Sequence, residues 1–305
     1  MNGLKVREVN QVPAIDGGYI FNTPEFQSLK SGEMKNFVLF ENEKVIGRIS
    51  FTLDKNKAIS GHQATFGSFD SQSALSKEMA YSFIGKVCKS LIDDGTKDII
   101  IKHWPECYNN TPGFEEIFDQ TEFRVINTEL NQHLVVEEKD FQEIIRKNER
   151  KKLNQCIKNE YTFKILSKSA LKEVYDLVAK TRTRKGYPVS MTIGDLERAI
   201  KSMPDKYILF GLFDKEKLIA TSVSIRVSKD ILYNFYHADE FSYRTTSPLV
   251  MLVQEIYKYC QQNRIKILDL GISSQNGEKN AGLFTFKENL GCISSNKNTY
   301  QLSYD

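Results

Sequence analysis

The sequence predicts an α+β protein built from two copies of one layered unit, and three observations carry that prediction. One stretch recurs: "LFENEKVIGRISF" from Leu39 and "LFDKEKLIATSVS" from Leu212 both read as strand, charged turn, strand. Each copy is followed by elements of the same order and type, namely a β-like run, a long amphipathic helix, a short apolar strand and a short helix-like segment. The spacing between copies is too long for a solenoid repeat and signals a duplicated domain. A β-meander leading into a helix and then a strand packs as a mostly antiparallel sheet flanked by helices, rather than as a barrel or a bundle.

In the first copy the β-like run is "AISGHQATFGSF", the helix "SALSKEMAYSFIGKVCKSLIDD", the strand "KDIIIKHW" and the closing segment "FEEIFDQTEFRV". In the second they are "ILYNFYHAD", "SPLVMLVQEIYKYCQQN", "IKILDLGI" and "GLFTFKENLGCI". Both long helices place apolar residues three and four apart, the spacing of one buried face. Between the copies, a helix is expected over residues 139–159. Its Arg146, Lys147, Arg150, Lys151, Lys152 and Lys158 stand against one acid, Glu149, which reads either as a solvated helix face or as a contact for phosphates. The stretch "SALKEVYDLVAKTRTRKGYPVSMTIGDLERAIKSM" reads as two helices broken at "KGYPVS", with Thr192 capping the second. The expected domains are residues 1–140 and 141–305, the latter opened by the basic linker helix.

Bulk properties bound the function. The chain has 305 residues, 40% of them hydrophobic, enough for two cores. Its 42 basic and 39 acidic residues give a net charge of +3, too balanced for an overall nucleic-acid footprint, so DNA is not an expected partner. Five scattered cysteines without a C-x-x-C pair signal neither a disulfide framework nor a zinc site, and no metal is expected. No apolar leader and no long uncharged apolar run are read, which points to a cytoplasmic protein without a membrane span.

The junction "DEFSYRTTSPLVMLVQEI" is the most informative stretch. Ser247 suits an N-cap and Pro248 a first helical position, so a helix starts there with its first-turn N–H groups outward. Arg244, Thr245, Thr246 and Ser247 add a cation and hydroxyls beside that start, a combination that binds phosphate, although the same residues also make an ordinary loop. In "ILYNFYHAD", strict alternation puts Tyr233, Phe235, His237 and Asp239 on one face and Leu232, Asn234, Tyr236 and Ala238 on the other. His237 and Tyr236 are candidate catalytic groups, with core or surface hydrogen bonding as the alternative. Gly271 and Ser273, on one face of "LDLGIS", are candidate binding residues, or simply the end of a strand. In the first copy, His62 and Gln63 precede a loop in which Gly67 permits a turn, while His103, Trp104 and Tyr108 read as packing.

The order strand, loop, helix, strand, helix resembles the GNAT acyltransferase superfamily, whose [QR]-x-x-G-x-[GA] loop holds the pyrophosphate of coenzyme A. Arg244-Thr245-Thr246-Ser247-Pro248-Leu249 aligns with that loop, with Ser247 at the first glycine and Leu249 at the last position. The "FKENLGC" segment lies over the family's F-Y-x-x-x-G-F, with Lys287 where many members carry a tyrosine general acid. The duplication and these departures are similar to the FemAB-like and tandem-GNAT branch, through Arg146-Lys147-Asn148-Glu149-Arg150, "YRTTSPLVML", "LDLG" and "GLFTFKENLG" in the branch's order, and through "ATFGSF" in the first domain.

The resemblance implies two tandem GNAT-like domains and an N-acyltransferase that moves an acyl group from acyl-CoA or acetyl-CoA to an amine of a small-molecule or cell-envelope precursor. His237, Tyr236 and Lys287 are its expected catalytic residues, and Arg244, Thr245, Thr246, Ser247, Gly271 and Ser273 its expected donor-binding residues. Lys287 and Arg244 otherwise read as members of structural ion pairs. Two alternatives stay open: transfer from aminoacyl-tRNA to a peptidoglycan precursor, which would make tRNA a partner, and a non-catalytic binding protein that kept the fold.

Overall fold

The computed structural model describes residues 4–72, 75–108, 117–118 and 120–304. Its first half contains β1 (Leu4–Val9), β2 (Met34–Glu41), β3 (Lys44–Asp54), β4 (Lys57–Ser60), α1 (Lys77–Asp93), β5 (Asp98–Lys102) and β6 (Arg124–Val135). Then come α2 (Lys147–Lys158), β7 (Thr162–Leu166), α3 (Leu171–Arg184), α4 (Ile193–Ser202), β8 (Tyr207–Asp214) and β9 (Lys217–Arg226). The chain continues through β10 (Ile231–Asp239), α5 (Pro248–Gln262), β11 (Ile267–Ile272), α6 (Ala281–Asn289) and β12 (Ile293–Ser303). These elements gather into two compact units. One comprises Met1–Leu130, Gln275–Glu278 and Ser295–Asp305, the other Asn131–Ser274 and Lys279–Ser294.

In the first unit β1, β2, β3 and β4 form an antiparallel meander. The β2–β3 turn at Asn42 and Glu43 has φ values of 47° and 63°, the positive angles that a two-residue hairpin of the matching twist requires. Through α1, β4 leads to β5, which lies parallel to it, and the end of β12 (Thr299 to Ser303) closes the other side of β5 antiparallel. The second unit repeats this plan. Its meander is β7, β8, β9 and β10. Through α5, β10 leads to the parallel strand β11, whose other side takes Asn131 to Val135 of β6. The fold is therefore α+β, with two tandem units of mostly antiparallel sheet flanked by helices.

Local departures have identifiable causes. The single helix expected over residues 139–159 is instead a short turn at Phe141–Ile144, an extended Ile145 and then α2. The break coincides with Arg146, whose N–H donates to the carbonyl of Asn289 at 2.9 Å and so leaves the helical ladder. The break at "KGYPVS" follows the sequence reading, with Gly186 at φ 74° and Thr192 and Asp195 capping α4 reciprocally. In the first unit Gly67 serves a close crossing rather than a turn, because a Cβ there would lie 2.2 Å from the backbone nitrogen of Gly61. Most of the segment "FEEIFDQ" lies outside the described residues.

The feature that shapes the second unit is the parting of its two parallel strands. β10 and β11 pair only from Ile231 to Tyr233 and from Ile267 to Asp269. Beyond that point β10 carries a bulge, since Val223 pairs with Tyr236 and Ser224 with Asn234, leaving Phe235 as the extra residue. β11 shifts register between Asp269 and Ile272, with Gly271 at φ 77°. The bulge resets the alternation. Asn234 and His237, expected on opposite faces, line one void against α5, while the Tyr236 ring turns toward Arg182 of α3.

Helix α5 starts at Pro248, as the sequence predicts, but Ser247 does not cap it through its side chain. Its backbone is left-handed (φ 52°, ψ 61°), whereas a capping side chain reaches the first-turn N–H groups from an extended backbone. The loop is held from behind instead: the Thr246 hydroxyl donates to the Tyr243 carbonyl at 2.8 Å, and the Cys156 thiol of α2 donates to the Thr246 carbonyl at 3.2 Å. Ser247 thus keeps the backbone shape that glycine adopts freely. Ser247→Gly is expected to stabilise the protein by about 0.5–1 kcal/mol, and Ser247→Ala to bring no loss from a missing cap. Melting temperatures of the two variants check this, and a drop for Ser247→Gly would contradict it.

Candidate functional site

A cleft of about 620 Å³ lies within the second unit. His237 and Asp239, at the end of β10, form part of its lining. Arg244, Ser247 and Leu249 contribute one wall from the junction and the start of α5, and Lys185 and Tyr187 contribute another from the loop after α3. Asn280 and Phe286 line it from α6 and the residue before it. Asn280 also caps α6, accepting from the Leu283 N–H at 3.0 Å, and its amide donates to the Tyr187 hydroxyl at 3.2 Å.

Charge in this cleft is mostly positive. Burial, then the nearby charges of Lys287, Lys185 and Arg182, push His237 down to about 3, so its imidazole is neutral at neutral pH. Asp239 is buried with its carboxylate 3.8 Å from Arg184 and 4.0 Å from Arg244. Arg244 keeps half of its side chain exposed and also lies over the Phe241 ring, 5.4 Å from its centre. Its guanidinium is therefore loosely held and open to an anion.

Lys287 sits behind His237. It is buried and donates to the carbonyls of Gly271 at 2.7 Å and Ile272 at 2.9 Å, and burial lowers it to about 8. It lines a second, smaller void that shares His237, Leu249 and Phe286 with the cleft.

The structure thus brings His237, Arg244 and Ser247 to one cleft and Lys287 to the void beneath it. Thr245 is exposed beside the cleft, and the Thr246 hydroxyl is committed to the loop. Tyr236 is not part of the cleft: its hydroxyl accepts from the Met191 N–H at 3.1 Å and lies 2.6 Å from the Ser190 hydroxyl, so it fastens the loop before α4. Gly271 offers its carbonyl to Lys287, and its own N–H donates to Asp269 at 2.7 Å. A Cβ on Gly271 would meet the Tyr233 ring at 3.1 Å. Ser273 is buried and donates to the Gln132 side chain at 2.6 Å, away from the cleft.

Sequence reasoning did not single out Lys185, Tyr187, Asp239 or Asn280. The cationic run "KTRTRK" was visible, but at the end of a helix such residues also simply complement the macrodipole. Among the described residues no helix is long and apolar enough to cross a membrane, and no group of three or more His, Cys, Asp or Glu residues is placed to hold a metal ion.

Comparison with known proteins places the fold. No family model and no curated protein matches the sequence. Solved structures do match in shape. FemX superposes with a TM-score of 0.74 at 11% identity, over 94% of this chain and 93% of FemX. L-PGS from Bacillus licheniformis gives 0.57 at 10% identity, over 84% of this chain and 80% of that one. A tandem GNAT protein from the clavulanic acid biosynthesis pathway gives 0.52 at 8% identity, over 89% and 83%. The chain therefore shares the fold of FemX and of that tandem GNAT protein.

Proposed function

We propose that the second unit is an acyltransferase whose cleft holds the phosphate-bearing end of an acyl donor and passes the acyl group to an amine. The observation that carries this reading is the convergence of Arg244, Lys185 and the start of α5 beside a neutral His237, with Lys287 behind it. Cations and a helix N-terminus favour an anion, and Ser247 in glycine's conformation preserves the loop path that a diphosphate needs. In transfer, the amine nitrogen bonds to the acyl carbon and the bond to the leaving sulfur or oxygen breaks. The neutral ring of His237 accepts the amine's proton, directly or through water, and the Lys287 ammonium opposes charge developing on the carbonyl oxygen. A bound phosphate also offsets the cations that hold His237 down, which raises its basicity when the donor is present. Gly271 holds Lys287 in place through its carbonyl, and Tyr236 fixes the loop before α4.

Acyl-CoA or acetyl-CoA is the donor we propose first, and an amine on a small-molecule or cell-envelope precursor the acceptor. A second reading, aminoacyl-tRNA as donor, is favoured by one specific observation. Helix α2 presents Lys147, Arg150 and Lys151 to solvent, and the same helix buttresses the junction through Cys156.

Arg244→Ala is expected to weaken donor binding about 10- to 100-fold by removing one charge-assisted contact while leaving the fold intact. Calorimetry with acetyl-CoA and with aminoacyl-tRNA tests this, and unchanged affinity for each ligand that binds the wild type would remove the junction from the site.

His237 has a second consequence for pH. An unfolded histidine takes up a proton near pH 6.5, whereas in the fold His237 resists until about 3, so stability is lost as pH falls through that interval. His237→Gln is expected to flatten the decline of melting temperature between those limits, and an unaltered slope would contradict a neutral His237.

For the tRNA reading, Arg150→Glu with Lys151→Glu is the informative pair. Lys152 is spared because it neutralises the buried Glu149 at 2.8 Å. Filter binding at low salt should show tRNA retention that falls in the double variant, and no retention by the wild type would eliminate this donor.

A further inference from the structure

Helix α1 in the first unit and α5 in the second hold the same place, and the backbone bonds that follow them match. After α1 the Thr96 N–H donates to Leu91 and the Tyr304 N–H to Lys97; after α5 the Ile265 N–H donates to Cys260 and the Val136 N–H to Lys266. By this match Gly85 stands where α5 has Gln254, Cys88 where it has Tyr257 and Ile92 where it has Gln261. In the second unit that face is covered by the chain that follows Val136. The Tyr257 hydroxyl accepts from the Glu137 N–H at 3.0 Å, and the Gln261 amide donates to the carbonyls of Glu137 at 2.6 Å and Lys139 at 2.9 Å. The Phe141 ring then lies 5.5 Å from that of Tyr257.

In the first unit no described residue takes the place of Glu137 to Phe141, and the same face is a groove of about 720 Å³. Tyr81, Gly85, Cys88 and Ile92 form its wall on α1, with Phe123 and Leu302 opposite. Cys88 and Ile92 lack the hydroxyl and amide that hold the covering chain in the second unit, so this groove suits apolar side chains rather than a hydrogen-bonded backbone. Along α1, Lys77, Tyr81, Gly85, Lys89 and Asp93 recur at every fourth position, and all are exposed. Such a row is a ridge of the kind that packs into the grooves of a second helix. Its order is self-complementary. Set against a reversed copy of itself, Lys77 meets Asp93, Tyr81 meets Lys89 and Gly85 meets Gly85. Gly85 leaves the crossing point clear, since a Cβ there would have no neighbour within 4 Å.

We propose that this groove is the interface of a symmetric dimer, in which two copies of the chain meet through α1 about a two-fold axis at Gly85. Each Tyr81 ring fills the other copy's groove between Cys88 and Ile92, the hole that antiparallel packing centred on Gly85 sets before it. The other copy's Lys89 lies beside that ring, where a cation is attracted to its face. Lys77 and Asp93 pair at both ends of the crossing. They also fix its direction, because parallel helices would set Lys77 against Lys77 and Asp93 against Asp93.

Sedimentation velocity on the full chain over a concentration series tests this, and a dimer should gain population as concentration rises. Gly85→Gln installs the residue that α5 carries at the matching place. It should keep the helix and weaken the dimer by roughly tenfold or more, because its side chain fills the crossing. Asp93→Lys should weaken the dimer severalfold, and adding Lys77→Asp to it should restore the wild-type association. Gly85→Cys should cross-link two copies under mild oxidation more readily than the wild type does, since the two Cα atoms face each other across the axis. A chain that stays monomeric at the highest concentration would overturn the proposal. So would a dimer that Gly85→Gln does not weaken and Gly85→Cys does not cross-link, since such a dimer uses another face. A monomer that binds a synthetic peptide of residues 137–146, and loses that binding in Gly85→Gln, would give the groove to a covering strand and overturn the dimer.

Discussion

Two strands that stop pairing inside a protein leave carbonyls in need of donors, and in the second unit the ammonium of Lys287 meets that need. It reaches both Gly271 and Ile272, just where β11 leaves β10. Burying an ammonium is costly unless its hydrogen-bonding capacity is used, and two strong acceptors offset much of that cost. The parting of the strands, the void between them and the cleft above all rest on this arrangement. Lys287 also contributes to keeping His237 neutral, so one side chain both holds the backbone and sets the charge of the histidine in the cleft.

The cations around the cleft are held at modest expense. Arg182 and Arg184 lie in the last turn of α3, where the helix macrodipole favours positive charge. Asp239 and Glu240 answer part of that charge from the end of β10, through Arg184 and Lys180. Lys185 and Arg244 line the cleft itself, so its cationic wall is in place before any ligand binds. Preorganised charge of this kind needs little rearrangement on binding.

Much of the fold was legible because it was written twice. The recurrence at Leu39 and Leu212, with matching elements behind each copy, identified two α+β units without any structural input. The candidate site was legible in part, since Arg244, Ser247 and His237 do meet. The bulge at Phe235 was hidden because "YNFYH" carries no glycine or proline to mark it, and the extra residue is defined only by the partner strand. That omission put His237 on the strand face opposite Asn234, whereas the two share one void. Ser247 has the composition of a cap, but the loop fixed by Cys156 and Thr246 dictates its backbone, and no local rule reports a tertiary tether. The break at Arg146 was equally invisible, because its partner Asn289 lies far along the chain.

The exchange of end strands bears on how the chain is made. β5 pairs on one side with β4, its near neighbour in sequence, but on the other with Thr299 to Ser303 of β12. During synthesis from the N-terminus, the first unit can collapse early around its meander and α1, yet one flank of β5 stays without its strand until Thr299 to Ser303 have emerged. Open strand flanks invite pairing with other chains. β6 is made before the rest of the second unit, and its Asn131 to Val135 must wait for β11 in the same way. Completion of both sheets is thereby tied to the arrival of late sequence, and the nascent protein passes through a period in which a holding chaperone has two defined edges to shield.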